Sequence, residues 1–420
     1  MKVVVDTNGL VNTAMPQPAT LDTQPATLIA APIRVESIDI LRAVTMILMI
    51  FVNDLWSLKK IPAWLEHVPR GVDGMGLADS VFPAFLFIVG MSLPYAINAR
   101  RQKGATDTAL VGHVVSRSVA LLTMGVFLVN GESINEVATG MTRGMWNSLS
   151  CLSFILIWNT YPKTSPNGIV LTAKGIGIAF LLTLAVVYRG GEETLTRFEP
   201  HWWGILGLIG WSYLAAALVA VFAHNQTPIL VLAWVGFAVL SMADQAGLVP
   251  KAVHLIPGAI SGGTLVGLTM GGVVVSTLFQ QYRKRGDNGQ MTLVFLIISG
   301  VLVGLSIYTR QFWGLSKLGA TPAWLFLCSA VTILAFLVIY WLTDVSGKTN
   351  WFTLIKPAGT DTLLCYLIPY FAYALITGLH LHLPEAVLTG GTGLLKSFFF
   401  ALLCAWITGR LNKAGVRLKL

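Results

Sequence analysis

Several polar and charged side chains lie within or beside a long apolar run near the N-terminus. The run spans residues 38–56 and carries Asp39, Arg42 and Asn53, and the loop after it holds His67. Charged groups inside a membrane-length apolar segment are costly, so by default they indicate function. An imidazole moves protons near neutral pH. On the residues alone, however, a single loop histidine indicates catalysis only weakly, because loop histidines are tolerated in water.

The spacing within this run places its polar side chains on one stripe. At about 100° per residue, positions 39, 42 and 53 fall within roughly 60° of one another on a helix. Asn53 then lies about 16 Å along the axis from Arg42 and close to the loop with His67. We expect Asp39 and Arg42 to form an ion pair, since pairing lowers the cost of burial. Phosphate binding and helix docking both remain open as the role of this pair.

The composition indicates which elements must position these residues. The chain has 420 residues, of which 55% are hydrophobic and 11% charged, and the mean hydropathy is +0.72. Soluble domains carry about 25% charged residues. Runs long enough for a bilayer, at about 20 residues each, occur at about 38–56, 77–98, 112–129, 143–161, 168–188, 202–222, 228–247, 257–280, 291–309, 321–343, 361–380 and 392–410.

This pattern predicts an all-α, polytopic membrane protein with about 11–12 transmembrane helices, eleven if one run is re-entrant. A single transmembrane domain is predicted over residues 34–420. Residues 1–33, rich in Thr, Pro and Ala, are predicted to be a disordered cytoplasmic tail. The four cysteines lack the spacing of a disulfide framework or a zinc site, so no metal is expected.

The distribution of Lys and Arg predicts the orientation. With the N-terminus in the cytoplasm, 18 of the 28 basic residues fall on the inner side. The C-terminus is then also cytoplasmic, and His67 lies on the opposite side. The net charge of +9 is explained by basic inner loops, so nucleic acid is not expected as a partner. A homodimer is compatible with the sequence.

Four motifs in residues 34–99 carry a family resemblance. They are S-x-D-x-x-R-A at 37–43, VN at 52–53, EH at 66–67 and AD-x-VFP-x-F-x-FIVG-x-S at 78–92. This segment resembles the transmembrane acyltransferase family that includes heparan-alpha-glucosaminide N-acetyltransferase and its bacterial relatives. The chain departs from the family at Asp361, where an Asn is usual, and at 143–150, which lacks a Gln-Arg pair.

The resemblance implies a membrane-embedded acyltransferase that uses acetyl-CoA as co-substrate, in a bacterial inner membrane. It implies that His67 is catalytic, as a general base or as a transient acyl carrier. Asn53 would then donate to the thioester oxyanion, and Asp79 would orient the imidazole. The acceptor would be an extracytoplasmic sugar or glycan amine or hydroxyl.

The CoA phosphates need cations, for which the inner side offers Arg42, with its partner Asp39, and the loop residues Arg283 and Arg285.

The alternative function is a secondary transporter of a small polar solute. Against it, the two halves of the chain show no recognisable repeat, a feature of many transporter folds.

Overall fold

The computed structural model describes residues 35–420, and every regular element in that range is helical. Only isolated β-bridges occur there. The predicted all-helical fold class is therefore confirmed. The helices are α1 Glu36–Asp54, α2 Leu77–Arg101, α3 Asp107–Asn130, α4 Glu136–Thr139, α5 Arg143–Trp158, α6 Asn167–Val187, α7 Ile205–Phe222, α8 Thr227–Gln245, α9 Gly258–Ser261, α10 Thr264–Arg285, α11 Asn288–Trp313, α12 Pro322–Tyr340, α13 Lys356–Thr360, α14 Thr362–Gly378 and α15 Gly390–Lys413.

Between residues 35 and 420, nine helices are long and apolar enough to cross a bilayer, namely α2, α3, α6, α7, α8, α10, α11, α12 and α15. Three further helices coincide with predicted runs. One of them, α1, carries Glu36, Asp39 and Arg42, while α5 and α14 are only 16 and 17 residues long. The protein is a multi-pass integral membrane protein. The predicted tail, residues 1–33, lies outside the described range.

Helix α1 is largely buried and packs against α2, α12, α13, α14 and α15. Thirteen of its nineteen residues are buried, although several of them are polar. By contrast, α6 and α8 each bury only three residues, so most of their apolar surface is available to lipid. A buried helix has no need to be apolar on every face, since its polar side chains can meet partners on neighbouring helices.

A buried carboxylate fixes the C-terminal end of α1. Asp54 accepts hydrogen bonds from Tyr373 of α14 at 2.8 Å and from Ser397 of α15 at 2.6 Å. Lys396 of α15 forms an ion pair with the same carboxylate at 2.6 Å. Pairing offsets the desolvation cost of the two charges. This network also fixes the backbone of the preceding residue, Asn53.

Helices α2 and α10 approach closely through glycines. A Cβ added at Gly272 would meet the carbonyl oxygen of Phe87, and one added at Gly90 would meet the carbonyl oxygen of Thr269. Small residues allow this backbone approach, which is common between membrane helices. The crossing holds α2, and with it Asp79 at its N-terminal end, against the rest of the bundle.

We predict that Gly272→Ala lowers the thermal unfolding temperature of the detergent-solubilised protein. The methyl group would push two backbones apart, and overpacking typically costs about 1–3 kcal/mol. The matched control is Gly300→Ala on α11, where an added Cβ meets nothing within 4 Å. Equal unfolding temperatures for both variants and the unmodified protein would contradict the close approach of α2 and α10.

Candidate functional site

The side chain of Asp79 organises the loop that carries His67. It is 1% exposed and accepts hydrogen bonds from the backbone N–H of Val68 at 3.0 Å and of Gly76 at 3.1 Å. Its second oxygen lies 2.7 Å from His67 Nδ1. Because the carboxylate accepts here, a neutral imidazole carries its proton on Nδ1 and its lone pair on Nε2. Asp79 thus fixes both the orientation and the tautomer of His67.

A second loop, residues 314–321, is attached to the histidine loop through Asp73. This carboxylate accepts from the Leu315 N–H at 2.7 Å and from Arg310 Nε at 3.0 Å. These contacts, the Leu315 N–H foremost, hold the pKa of Asp73 below its ordinary value. In addition, the Gly74 N–H donates to the carbonyl of Leu315 at 2.9 Å. The two loops therefore form one unit.

Lys317 in this second loop contacts the imidazole. Its Nζ lies 3.3 Å from His67 Nδ1 and 3.5 Å from Nε2. Burial lowers the pKa of Lys317 below its ordinary value, while the nearby charge of Asp79 acts in the opposite direction. The imidazole of His67 thus lies next to both the carboxylate of Asp79 and the ammonium group of Lys317.

These side chains border a cavity of about 730 Å³, which we call the upper cavity. The side chain of His67 is 46% exposed, and Asn53, at the end of α1, is exposed as well. The aromatic part of the lining includes Trp202, Trp203, Trp211 and Trp324, and the polar part includes Asn53, His67, Asp244, Gln245 and Lys317. Mostly apolar walls with a few polar groups are typical of small-molecule sites.

A second cavity of about 430 Å³, the lower cavity, has four cations in its lining. They are Arg42, Arg100, Arg117 and Lys419. Arg42 pairs with Asp39 at 3.3 Å and also donates to Ser92 at 2.6 Å and to the carbonyl of Gly359 at 3.0 Å. The predicted Asp39–Arg42 ion pair is therefore confirmed. The pair also docks α1 against α2 and α13.

The two cavities share part of their walls. Met49 of α1 and Ile205 at the start of α7 line both. Since α1 carries Arg42 beside one cavity and Asn53 beside the other, the cavities follow one another along this helix. The lower cavity with its cations and the upper cavity with His67 therefore adjoin, and they share the apolar side chains of Met49 and Ile205.

The structure brings together most of the predicted site residues. His67 and Asp79 are hydrogen-bonded, Asn53 lines the same cavity as His67, and Asp39 pairs with Arg42 beside the lower cavity. Arg283 and Arg285, at the end of α10, are not among the residues that line either cavity. The guanidinium of Arg285 lies 5.9 Å from the centroid of the Tyr282 ring instead.

Four cations that line the cavities were not among the site residues predicted from the sequence, namely Arg100, Arg117, Lys317 and Lys419. Arg117 lies within a predicted apolar run, so its position inside a span was a signal that could have identified it. Lys317 and Lys419 carried no comparable signal, because each lies outside the predicted apolar runs, in a connecting or terminal segment. Only the fold brings Lys317 to a histidine 250 positions earlier in the chain.

The fold and the site describe a helical membrane protein with a histidine-centred pocket, and comparison with known proteins relates it to one family. Residues 34–140 match the family model described as heparan-alpha-glucosaminide N-acetyltransferase, catalytic. This match confirms the resemblance that the motifs carry, and it includes Arg42, Asn53, His67, Asp79 and Arg117.

Two relatives bear the same name. Heparan-alpha-glucosaminide N-acetyltransferase of Homo sapiens is 34% identical over 136 residues, and that of Mus musculus is 31% identical over 134 residues. Each alignment covers 30% of this chain and 19% of the relative. The homology is thus distant and spans about a fifth of the length of these relatives.

We predict that Asp79→Ala loosens the His67 loop, because three hydrogen bonds lose their acceptor. Hydrogen–deuterium exchange should become faster at the amides of Val68 and Gly76. Asp107→Ala is the matched control, since Asp107 pairs with Arg101 near the opposite end of α2. Unchanged exchange at both amides in Asp79→Ala would show that this carboxylate does not hold the loop.

Proposed function

We propose that this protein is a membrane-embedded acyltransferase that moves an acetyl group from cytoplasmic acetyl-CoA to a sugar or glycan amine or hydroxyl on the other side of the membrane. The observation that carries the proposal is the pair of adjoining cavities. One is lined by cations and the other by His67, and Met49 and Ile205 belong to both. The homology of residues 34–140 supports the same reaction class.

The lower cavity suits the nucleotide part of the donor. The phosphates of CoA need cations at hydrogen-bonding distance, and Arg100, Arg117 and Lys419 line this cavity together with Arg42. The distribution of Lys and Arg favours the cytoplasm for this end of α1. We therefore assign the phosphate contacts to these residues in place of the predicted Arg283 and Arg285.

The pantetheine arm would pass from the lower cavity to the upper one beside Met49. The thioether of methionine is flexible and adapts to a neighbouring chain. The arm would place its thioester in the upper cavity, near His67 and Asn53. In this arrangement the enzyme carries only the acyl group across the membrane, and the charged nucleotide stays at the cytoplasmic end.

The residues of the upper cavity match the steps of acyl transfer. The acceptor nitrogen or oxygen attacks the thioester carbon, and the C=O electron pair moves onto oxygen. His67 Nε2 takes the proton from the acceptor, and the same proton then passes to sulfur as the C–S bond breaks. The Asn53 amide donates to the oxyanion. Alternatively, the same Nε2 lone pair attacks the thioester carbon first, and the C–S bond breaks with CoA leaving as a thiolate. The acceptor then attacks the acetyl carbon, the bond from the ring nitrogen to this carbon breaks, and the acceptor's proton passes to the CoA thiolate.

The upper cavity also offers surfaces for an acceptor. The indole rings of Trp202, Trp203 and Trp211 supply flat apolar faces that a sugar ring can cover. The carboxylate of Asp244 and the amide of Gln245 supply hydrogen-bonding groups on the same cavity. A few polar groups among aromatic walls can fix the orientation of a hydroxylated ligand.

We predict that His67→Ala and Asn53→Ala abolish most acetyl transfer by the purified protein. General-base catalysis is typically worth about 10²–10⁴-fold, and one oxyanion donor about 10²–10³-fold. The measurement is release of the CoA thiol from acetyl-CoA in the presence of glucosamine. His382→Ala, in the exposed loop after α14, is the control and should keep full activity. Equal thiol release by His67→Ala and the unmodified protein would refute the proposed function.

We also predict that Met49→Trp obstructs the passage between the cavities. The larger side chain should lower kcat/KM for acetyl-CoA by about tenfold or more, because a reacting group displaced by 1 Å can cost about 10²-fold. Ile297→Trp, on the exposed face of α11, adds the same bulk elsewhere and serves as the control. If Met49→Trp folds with an unchanged unfolding temperature and keeps its kcat/KM, the donor takes another path.

A further inference from the structure

Lys317 places a positive charge beside the imidazole of His67. The role that we infer for this residue rests on the proposed function and deepens it. The residue lies in the loop between α11 and α12, held by several hydrogen bonds. The Ser316 N–H donates to Thr321 Oγ1 at 3.1 Å, and the Gly319 N–H donates to Ser316 Oγ at 3.1 Å. Gln245 of α8 donates to the carbonyl of Gly319 at 2.8 Å. These hydrogen bonds fix the backbone of the loop, and with it the position of the Lys317 Cα atom.

The position of the ammonium relative to the ring is informative. Nζ is nearly equidistant from the two ring nitrogens of His67, at 3.3 and 3.5 Å. A group along the lone-pair or N–H direction of one ring nitrogen would be clearly farther from the other nitrogen. Lys317 Nζ therefore lies along neither direction. The Nδ1 position is already occupied by Asp79 at 2.7 Å. The Nε2 lone pair therefore remains available for a proton from the acceptor.

The ammonium also retains hydrogen-bonding capacity. A protonated lysine has three N–H donors and no acceptor. Within residues 35–420, no carboxylate lies within ion-pair distance of Lys317 Nζ, and His67 is the only side chain there within hydrogen-bonding distance of it. Lys317 and Asn53 both line the upper cavity. Both donors thus belong to the cavity that His67 also lines.

We propose that Lys317 is a further catalytic residue, whose ammonium donates to the thioester carbonyl oxygen as that oxygen becomes negatively charged. The acceptor forms its bond to the carbonyl carbon, and the C=O electron pair becomes an oxyanion between Lys317 and Asn53. When the C–S bond breaks, the electron pair returns to the carbonyl and the sulfur takes the proton from His67. The lysine keeps its own proton throughout, so its contribution is electrostatic.

The test compares Lys317→Met, Lys317→Arg and Lys59→Met in the full-length protein in detergent, with acetyl-CoA and glucosamine. Lys59 is an exposed lysine paired with Glu385 and is the matched control. We expect Lys317→Met to lower kcat about 100-fold with KM for acetyl-CoA changed less than about threefold, as for loss of an oxyanion donor. Lys317→Arg should recover at least about tenfold of that loss, because it keeps the charge.

The outcomes distinguish this inference from the proposed function. If His67→Ala is inactive but Lys317→Met keeps kcat within about threefold of the unmodified protein, the role of Lys317 is refuted and the acyltransferase remains. A rise in KM alone, or an equal loss in Lys317→Arg and Lys317→Met, would refute transition-state stabilisation by the charge. If thiol release by the unmodified protein does not depend on His67, the proposed function fails, and the role of Lys317 fails with it.

Discussion

The bond between Asp79 and His67 is the interaction on which the site depends. Asp79 is buried at the start of α2, and it also accepts the N–H groups of Val68 and Gly76. A loop histidine would otherwise rotate freely in water, and its ring nitrogens would exchange roles. One carboxylate at a helix N-terminus, where negative charge is favoured, converts this residue into a fixed imidazole with a defined tautomer. The close crossing of α2 with α10 in turn keeps the carboxylate in place.

Helix α1 connects the two halves of the proposed reaction. Its lower part presents Arg42 to a cationic cavity, its middle part presents Met49 to both cavities, and its end presents Asn53 to the histidine. The Asp39–Arg42 pair at one end and the buried Asp54 network at the other fix this helix along its length. Its number of charged residues excludes α1 from the nine helices of the described range that meet the spanning criterion, and those same charges bind it to its neighbours.

Much of this architecture follows from the sequence because its signals are local. Apolar runs of bilayer length predicted the positions of the long helices, and a three-residue spacing predicted the Asp39–Arg42 pair. The motifs around His67 and Asp79 predicted the family and the contact between these two residues. The number of helices that meet a strict length and hydropathy criterion, nine within residues 35–420, is lower than the predicted 11–12, since charge in α1 and the short lengths of α5 and α14 exclude them.

The remainder depends on contacts between distant segments, which no local pattern reports. Lys317 reaches His67 because Asp73 and Gly74 join two loops that lie far apart in the chain. The predicted Arg283 and Arg285 belong to an obvious basic cluster, yet a basic inner loop is also what membrane insertion alone requires. The lining of the lower cavity instead includes one cation from each of α1, α2 and α3 and one from the C-terminal segment, which come together only when the chain folds.

The decisive measurement is where the donor binds. A cryo-EM map of the protein with a non-transferable thioether analogue of acetyl-CoA would show its position. We predict the nucleotide and phosphates in the lower cavity against Arg42 and Arg117, the pantetheine chain beside Met49, and the thioether group next to His67 Nε2. Density for the nucleotide outside the lower cavity, or an acyl end remote from His67, would contradict this prediction.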